Sequence, residues 1–223
     1  IHRRLVGSEM CIRDRARTVW ADDPRQLAIF RTQEAELKQR LGDLSGAEQL
    51  FKQTLSDSLD QLSLGDPLGR VLRNNLGQLY ETMGLFEEAE PLLKDAISLA
   101  EHQLGADHPE TARLQNNLAL LYESQGRFDF AAPLYESAIA SLTNLYGGDS
   151  IEVVKLRNNL AFLQFMDENF EAARAGFESV IGDWIDLATV DHPERLKSMS
   201  NLGRVLLKQG ELAQAEQQLL EVL

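Results

Sequence analysis

The stretch Asn74-Asn75-Leu76 returns every 42 residues along the chain, as Asn116-Asn117-Leu118, as Asn158-Asn159-Leu160 and, with one change, as Ser200-Asn201-Leu202. A fixed period of this size is typical of proteins built from stacked helical repeats. The sequence therefore predicts an array that grows by adding units, rather than a domain around one central core.

Several other positions recur with the same 42-residue period. Small residues recur at Ala35, Gly77, Ala119, Ala161 and Gly203, and alanine recurs at Ala47, Ala89, Ala131, Ala173 and Ala215. Aromatic or leucine side chains recur at Leu44, Phe86, Phe128, Phe170 and Leu212, and again at Phe51, Leu93, Tyr135, Phe177 and Leu219. Small side chains let two helices approach closely and large ones fill the adjacent space, so five units are predicted to share one packing scheme.

Each unit is expected to contain two antiparallel helices. Asp107-His108-Pro109-Glu110 combines a capping residue, a proline suited to a first helical turn and an acid that favours the helix dipole. Asp191-His192-Pro193-Glu194 repeats this signal. In the third unit the sequence predicts helices over about 109–125 and 128–145, separated by Gly126, and in the fourth unit Asn169 is expected to replace the glycine.

These signals predict an all-α fold, a right-handed superhelical solenoid of about ten helices. The array would cover residues 16–223, in units of about 24–64, 65–106, 107–148, 149–190 and 191–223, the last one truncated. Because Glu221-Val222-Leu223 falls inside a predicted helix, we expect further sequence after it.

Residues 1–15 do not share the period. The string from Val6 to Arg15 resembles the translation of a transposase-type sequencing adapter, so residues 1–15 are interpreted as a non-native tail that contributes nothing to stability. Cys11, the only cysteine, would belong to this tail, and the true N-terminus would be missing.

The overall charge and hydropathy argue against two classes of partner. The formal net charge of -13 is opposite to the basic footprint of a nucleic-acid-binding protein. No apolar run approaches the roughly 18 to 20 residues of a membrane-spanning helix. We therefore expect a soluble protein that binds neither nucleic acid nor membrane. The compartment stays open, because a missing N-terminus could have carried a signal peptide, and the cytoplasm is the expectation.

The sequence contains no phosphate-binding loop, no His-Glu-x-x-His zinc motif and no Gly-x-Ser-x-Gly elbow. His108 and His192 are interpreted as residues at helix starts rather than ligands. The sequence predicts no catalytic residue, no metal site and no cofactor, and therefore no enzyme.

The third unit carries a family resemblance. Asn117-Leu118-Ala119, Tyr122, Gly126, Phe128, Ala131, Tyr135 and Ala138 together resemble the tetratricopeptide repeat. The Asn-Asn-Leu-Ala pattern, the 42-residue period and the Asp-His-Pro-Glu linker are similar to the kinesin-light-chain type of that repeat. The resemblance runs from about residue 24 to the end, although Thr32-Gln33-Glu34 and Gln164 depart from it.

The resemblance implies that one face of each first helix lines a concave groove that holds an extended peptide. The peptide-binding residues would be Asn74, Asn75, Arg113, Asn116, Asn117, Lys155, Asn158, Asn159, Phe162, Phe165, Met166, Lys197, Asn201 and Arg204. This face is expected to be net positive, and its large apolar side chains are expected to face away from the repeat core. The partner would then be a protein segment that mixes acidic and large apolar residues.

Alternatives to a peptide-binding scaffold stay open at this stage. The array could be the sensor or substrate-recruiting part of a larger enzyme with a nucleotide-binding switch ATPase or a protease domain. It could also be a purely structural, self-assembling array. The asparagines could bind a peptide backbone, or they could form hydrogen bonds only within the protein.

Overall fold

The computed structural model describes Val19 and residues 23–61, 66–187 and 193–221. Every regular element within these ranges is an α-helix. The helices are α1 (Pro24–Arg40), α2 (Leu44–Gln61), α3 (Pro67–Thr82), α4 (Phe86–Leu104), α5 (Pro109–Ser124), α6 (Phe128–Tyr146), α7 (Ile151–Met166), α8 (Phe170–Asp186), α9 (Pro193–Gln209) and α10 (Leu212–Leu220). The adapter-like tail, Asp191 and His192 lie outside the described residues.

The described residues form two compact units, one up to Leu99 and one from Ala100 onward. In the first unit α1 packs against α2, and α2 packs against α3. In the second unit each helix from α5 to α10 packs against the next one in the chain, and α7 also contacts α9. Consecutive packing of this kind is what a repeat array requires. The division into five repeats remains a prediction.

The helix starts follow the capping rules predicted from sequence. At α5 the cap is His108, whose Nδ1 accepts a hydrogen bond from the Glu110 backbone N–H over 3.1 Å, and Pro109 occupies the first turn. Asp107 instead accepts a hydrogen bond from the Ser141 hydroxyl on α6 over 3.2 Å. His108 is therefore a helix-capping residue, as its position before Pro109 suggested.

The small residues at the predicted helix crossings are buried where two helices meet. A Cβ atom added to Gly77 would lie 2.8 Å from Leu93 Cγ, and one added to Gly203 would lie 2.7 Å from Leu219 Cδ2. The recurring alanines, Ala47, Ala89, Ala131, Ala173 and Ala215, are all fully buried. The packing scheme predicted from the period is confirmed at these positions.

The turn between α7 and α8 differs from the prediction. Gly126 and its counterparts in other repeats adopt a positive φ, and in the fourth repeat Glu168 takes this left-handed conformation itself, with φ of 60°. Asn169, which was expected to replace the glycine, instead caps α8 by accepting a hydrogen bond from the Ala172 N–H over 3.3 Å. A non-glycine side chain in this conformation strains the backbone, at a cost of roughly 1 to 2 kcal/mol.

Candidate functional site

A cavity of about 690 Å³ lies in the second unit, where α5, the end of α6 and the start of α7 meet. It brings together side chains from the first helices of two successive repeats. The lining residues are Pro109, Glu110, Ala112, Arg113, Asn116, Leu142, Tyr146, Glu152, Lys155, Leu156 and Asn159. Four of them, Arg113, Asn116, Lys155 and Asn159, are among the peptide-binding residues predicted from sequence.

Helix ends determine where this cavity lies. His108 caps the start of α5, and Ser150 caps the start of α7 by accepting a hydrogen bond from the Val153 N–H. Gly147, with φ of 87°, ends α6. The cavity is therefore lined by the N-terminal halves of α5 and α7 and the last turn of α6.

Two asparagine amides connect α7 to α5 beside the cavity. Asn159 Nδ2 donates a hydrogen bond to Asn116 Oδ1 over 3.0 Å, and Asn116 Nδ2 lies 3.4 Å from Asn117 Oδ1. Asn116 and Asn159 are half-buried. An amide side chain offers two donor hydrogens and one acceptor oxygen. Within the described part of the chain, one N–H and the Oδ1 of Asn159 therefore remain for a further partner.

The charges at the cavity are mixed. Arg113 donates to both carboxylate oxygens of Glu110, over 2.9 and 2.8 Å, and these hydrogen bonds raise the pKa of the guanidinium. Glu152 also lines the cavity. Lys155 is exposed and forms no ion pair with any carboxylate in the described ranges. Of the two cations at the cavity, Lys155 is therefore the one whose charge is available to a ligand.

Apolar groups line the cavity beside these charges. Leu142 and Leu156 are buried and present aliphatic surface to the cavity, together with Ala112 and Pro109. Tyr146 stands at its edge and is 54% exposed. A concave site with an apolar lining and a few polar groups is the usual form of a binding pocket.

The other predicted asparagines lie mainly inside the protein. Asn74, Asn117, Asn158 and Asn201 are buried. Asn158 Oδ1 lies 2.8 Å from the Ser198 hydroxyl on α9, and half-buried Asn75 donates to Glu36 on α1 over 2.8 Å. Their amides therefore form hydrogen bonds within the protein, and mainly Asn116 and Asn159 remain within reach of a ligand.

The expectation that Phe165 faces away from the repeat core is wrong. Phe165 is 9% exposed and belongs to a buried cluster with Ala161, Phe177, Leu202 and other residues of α7 to α10. Phe162 is partly buried against the same cluster, whereas Met166 is 44% exposed. The extrapolation failed because α9 packs on α7 at this position, a contact between repeats that the periodicity of one helix does not show.

The face expected to be net positive includes a row of three cations, Arg113, Lys155 and Lys197, and this row carries less unpaired charge than the sequence suggested. Arg113 is neutralised by Glu110, and Lys197 Nζ lies 3.9 Å from Glu194 Oε2. Of the three cations in this row, Lys155 is the one without an ion-pair partner among the described residues. Glu110 and Glu194 each lie three residues before the cation they contact, and this helical spacing could have been read from the sequence.

Sequence reasoning missed Tyr146 and Leu142 as lining residues. Both belong to α6, whereas the predicted groove used only the first helix of each repeat. Tyr146 stands 42 residues after Leu104, so a recurring large side chain at the end of the second helix was the available signal.

The described ranges contain neither a membrane-spanning helix nor a metal-binding cluster. None of the helices there contains an apolar window long enough to cross a lipid bilayer. No group of three or more histidine, cysteine or acidic side chains in the same ranges is placed to hold a metal ion.

Comparison with known proteins identifies the fold and the family. The family model described as tetratricopeptide repeat matches residues 68–144 and 152–223. The chain belongs to the tetratricopeptide repeat family. Comparison with curated protein sequences gives no match.

Solved structures resemble this tetratricopeptide array closely in fold. BtubC (BKLC) from P. vanneervenii is 23% identical, with 99% of this chain and 89% of that chain covered and a TM-score of 0.84. A Podosopora anserina protein described as a kinesin light chain with nearly identical TPR-like repeats is also 23% identical, with 89% and 94% covered and a TM-score of 0.78. These matches confirm the all-α solenoid class and the similarity to kinesin-light-chain-type repeats.

A third neighbour is more distant in sequence. A Rap protein complexed with competence and sporulation factor is 9% identical, with 87% of this chain and 52% of that chain covered and a TM-score of 0.68. Tetratricopeptide arrays serve as protein-interaction scaffolds by offering an extended surface to a partner. This chain is such a scaffold.

Proposed function

We propose that this scaffold binds an extended segment of a partner protein across α5 and α7, with the cavity between them as an anchor point. The supporting observation is that Arg113, Asn116, Lys155 and Asn159, from two successive repeats, line one cavity of about 690 Å³. This volume lies within the roughly 300 to 1,000 Å³ of typical ligand pockets.

The hydrogen-bonded side-chain amides of Asn116 and Asn159 would bind the peptide backbone. The hydrogen bond from Asn159 to Asn116 fixes the orientation of both side chains before a ligand arrives. A preorganised amide loses less conformational freedom on binding than a mobile one. Its remaining donor and acceptor can bind a peptide unit of any sequence.

Side-chain selectivity would come from Lys155 and the leucines. Lys155 supplies a positive charge with no acidic partner in the described part of the chain, and Leu142 and Leu156 supply adjacent apolar surface. A segment that carries an aspartate or glutamate near a large apolar residue satisfies both features. The preferred partner is therefore an acidic and apolar extended segment.

In this proposal the chain acts by binding alone, without a catalytic residue or cofactor of its own, and it works in the cytoplasm. Among its structural neighbours, the Rap protein was solved as a complex with competence and sporulation factor. That complex is an example of the same fold holding a partner, and it supports a search for a bound segment here.

The test uses short synthetic peptides in which Asp, Glu, Leu and Phe alternate with Ser and Gly. Matched peptides replace either every acid by its amide or every large apolar residue by Ser. Binding to the full chain is measured by fluorescence anisotropy at several salt concentrations. We expect only the acidic and apolar peptides to bind, with an affinity that falls as salt increases, because exposed charges are screened.

The decisive variant is Lys155→Glu, with Lys94→Glu as its control. Lys94 is an exposed lysine on α4, outside the cavity, so both variants change the net charge equally. Lys155→Glu should weaken binding about tenfold, or roughly 1.4 kcal/mol, and Lys94→Glu should leave the affinity unchanged. The proposal would be overturned if both variants lost the same amount of affinity, or if the amide peptides bound more tightly than the acidic ones.

A further inference from the structure

Besides Lys155, the second unit has an exposed cation, Arg204, that lies over aromatic rings. The guanidinium carbon of Arg204 on α9 lies 4.8 Å from the ring centroid of Phe165 and 5.8 Å from that of Phe162, both on α7. Its Nη1 donates a hydrogen bond to Asn201 Oδ1 over 3.3 Å. Arg204 is nevertheless exposed.

Most arginines in the described ranges are paired differently, with a carboxylate rather than a ring. Such ion pairs are Arg25 with Asp66, Arg31 with Asp57, Arg73 with Asp95, Arg113 with Glu110, Arg157 with Asp183 and Arg174 with Glu178 and Glu211. Arg204 forms no ion pair with any described carboxylate, so its charge is not neutralised within this part of the protein.

The aromatic surface determines what Arg204 can bind. Stacking on Phe165 and Phe162 restricts the side chain and leaves the edge of the planar guanidinium as the site for hydrogen bonds. Of five N–H donors, one is used by Asn201. A planar fork of free donors matches a carboxylate, which it can bind through two parallel hydrogen bonds.

Apolar groups flank this site on both helices. Leu207, one turn after Arg204 on the same face of α9, is 48% exposed. Met166, one turn after Phe162 on α7, is 44% exposed. An acidic group bound to Arg204 would therefore be next to surface that favours a large apolar side chain.

We propose that Arg204, held on the Phe162 and Phe165 rings, is a second recognition point that receives a carboxylate side chain of the partner and selects it by its planar shape as well as its charge. This inference rests on the proposed function and adds a specificity-determining residue on α9 to the cavity between α5 and α7. A phosphorylated residue offers a different, tetrahedral oxyanion and is included as an outcome of the test.

The experiment compares Arg204→Lys with wild type, using the same acidic and apolar peptides, their single acid-to-amide versions and versions with phosphoserine in place of each acid. Lysine keeps the charge but lacks the planar fork. We expect Arg204→Lys to weaken the best acidic peptide about tenfold. The acid-to-amide change opposite Arg204 should weaken binding to wild type more than binding to Arg204→Lys, because lysine keeps the charge attraction but loses the paired hydrogen bonds, and this difference is the coupling measured by a double-mutant cycle.

Arg127→Lys is the matched control. Arg127 lies in the turn before α6, with its guanidinium carbon 4.5 Å from the rings of both Tyr122 and Phe130. It tests whether the loss of any stacked guanidinium changes binding through stability alone. Thermal unfolding of each variant, followed by circular dichroism, confirms that the fold is retained.

The outcomes separate this inference from the proposed function. Suppose that wild type binds the acidic peptides, that Lys155→Glu lowers the affinity and that Arg204→Lys does not. The role assigned to Arg204 is then wrong, and the cavity between α5 and α7 remains the binding site. If Arg204→Lys weakens binding and Lys155→Glu does not, the cavity assignment is wrong. Absence of binding by wild type overturns both, and preference for phosphoserine over the acids overturns carboxylate selection.

Discussion

Arg157 on α7 donates a hydrogen bond from Nη1 to Asp183 Oδ2 on α8 over 3.1 Å, and this ion pair joins two consecutive helices. Arg31 and Asp57 form an ion pair between α1 and α2 at the same repeat positions. The side chains of Arg157 and Asp183 are partly exposed. The pair is therefore a recurring link between helices that are consecutive in the chain, rather than a functional site.

We expect Asp183→Asn to lower the free energy of unfolding by about 1 kcal/mol, because a partly exposed ion pair contributes little. Asp149→Asn, at an exposed position, is the control and should change nothing measurable. Chemical denaturation of Asp183→Asn, Arg157→Met and the double variant would give the coupling energy. A coupling near zero would show that the pair does not stabilise the repeat.

In the third repeat this position is occupied by Gln115. Gln115 is 6% exposed, and its Oε1 is buried with no hydrogen-bond partner among the residues that the structure describes. Burying an unsatisfied amide oxygen costs about 1 to 3 kcal/mol. We expect Gln115→Met, which has similar length and no such oxygen, to raise the free energy of unfolding by about 1 kcal/mol in urea denaturation.

Gln78→Met provides the comparison for this prediction. Gln78 Oε1 accepts a hydrogen bond from Asn74 Nδ2 over 3.3 Å, so the same substitution removes a partner there. It should destabilise the protein. A loss of stability in Gln115→Met as well would mean that the Gln115 amide contributes to packing that methionine does not reproduce.

The packing inside each helix pair could be predicted from sequence because it repeats. Gly77 against Leu93 and Gly203 against Leu219 occupy the same positions three periods apart, and the copies between them carry the same small and large side chains, so one inference holds for all of them. Contacts between repeats depend on how each helix meets its neighbour. Burial of Phe165 against α9 follows from such a contact and was not predictable from one period, whereas the large side chain of Tyr146 recurs with the period and only its place beside the cavity needed the structure.

Because Phe165 is buried, its truncation is expected to lower the stability of the fold. Phe165→Ala should lower the free energy of unfolding by about 3 kcal/mol, since it removes a ring from the buried cluster of α7 to α10. Met166→Ala, at a 44% exposed neighbour, should cost far less. Differential scanning calorimetry of both variants checks this, and equal effects would contradict the assigned packing.

Relief of backbone strain is expected at the turn after α7. Glu168 has φ of 60°, a conformation that glycine adopts without the clash of a Cβ atom. Glu168→Gly should therefore stabilise the protein by up to about 1 kcal/mol, because the relief is partly offset by the greater freedom of glycine in the unfolded chain. Glu168→Ala removes the same carboxylate but keeps the strain, so a gain in that variant would point to charge instead.

The pH dependence of stability should depend partly on Glu48 in the first unit. Lys52 Nζ donates to Glu48 Oε1 over 2.6 Å and the Tyr80 hydroxyl donates to the same oxygen over 3.1 Å, and together they hold the pKa of Glu48 below its ordinary value. A carboxyl whose pKa is lower in the folded state stabilises the fold above its unfolded pKa of roughly 4.3. That contribution is lost as the pH falls through the folded pKa. At neutral pH, wild type should therefore have a higher urea midpoint than Glu48→Gln. In acid this difference in midpoint should vanish. A difference that persisted in acid would indicate that the effect of the substitution is not electrostatic.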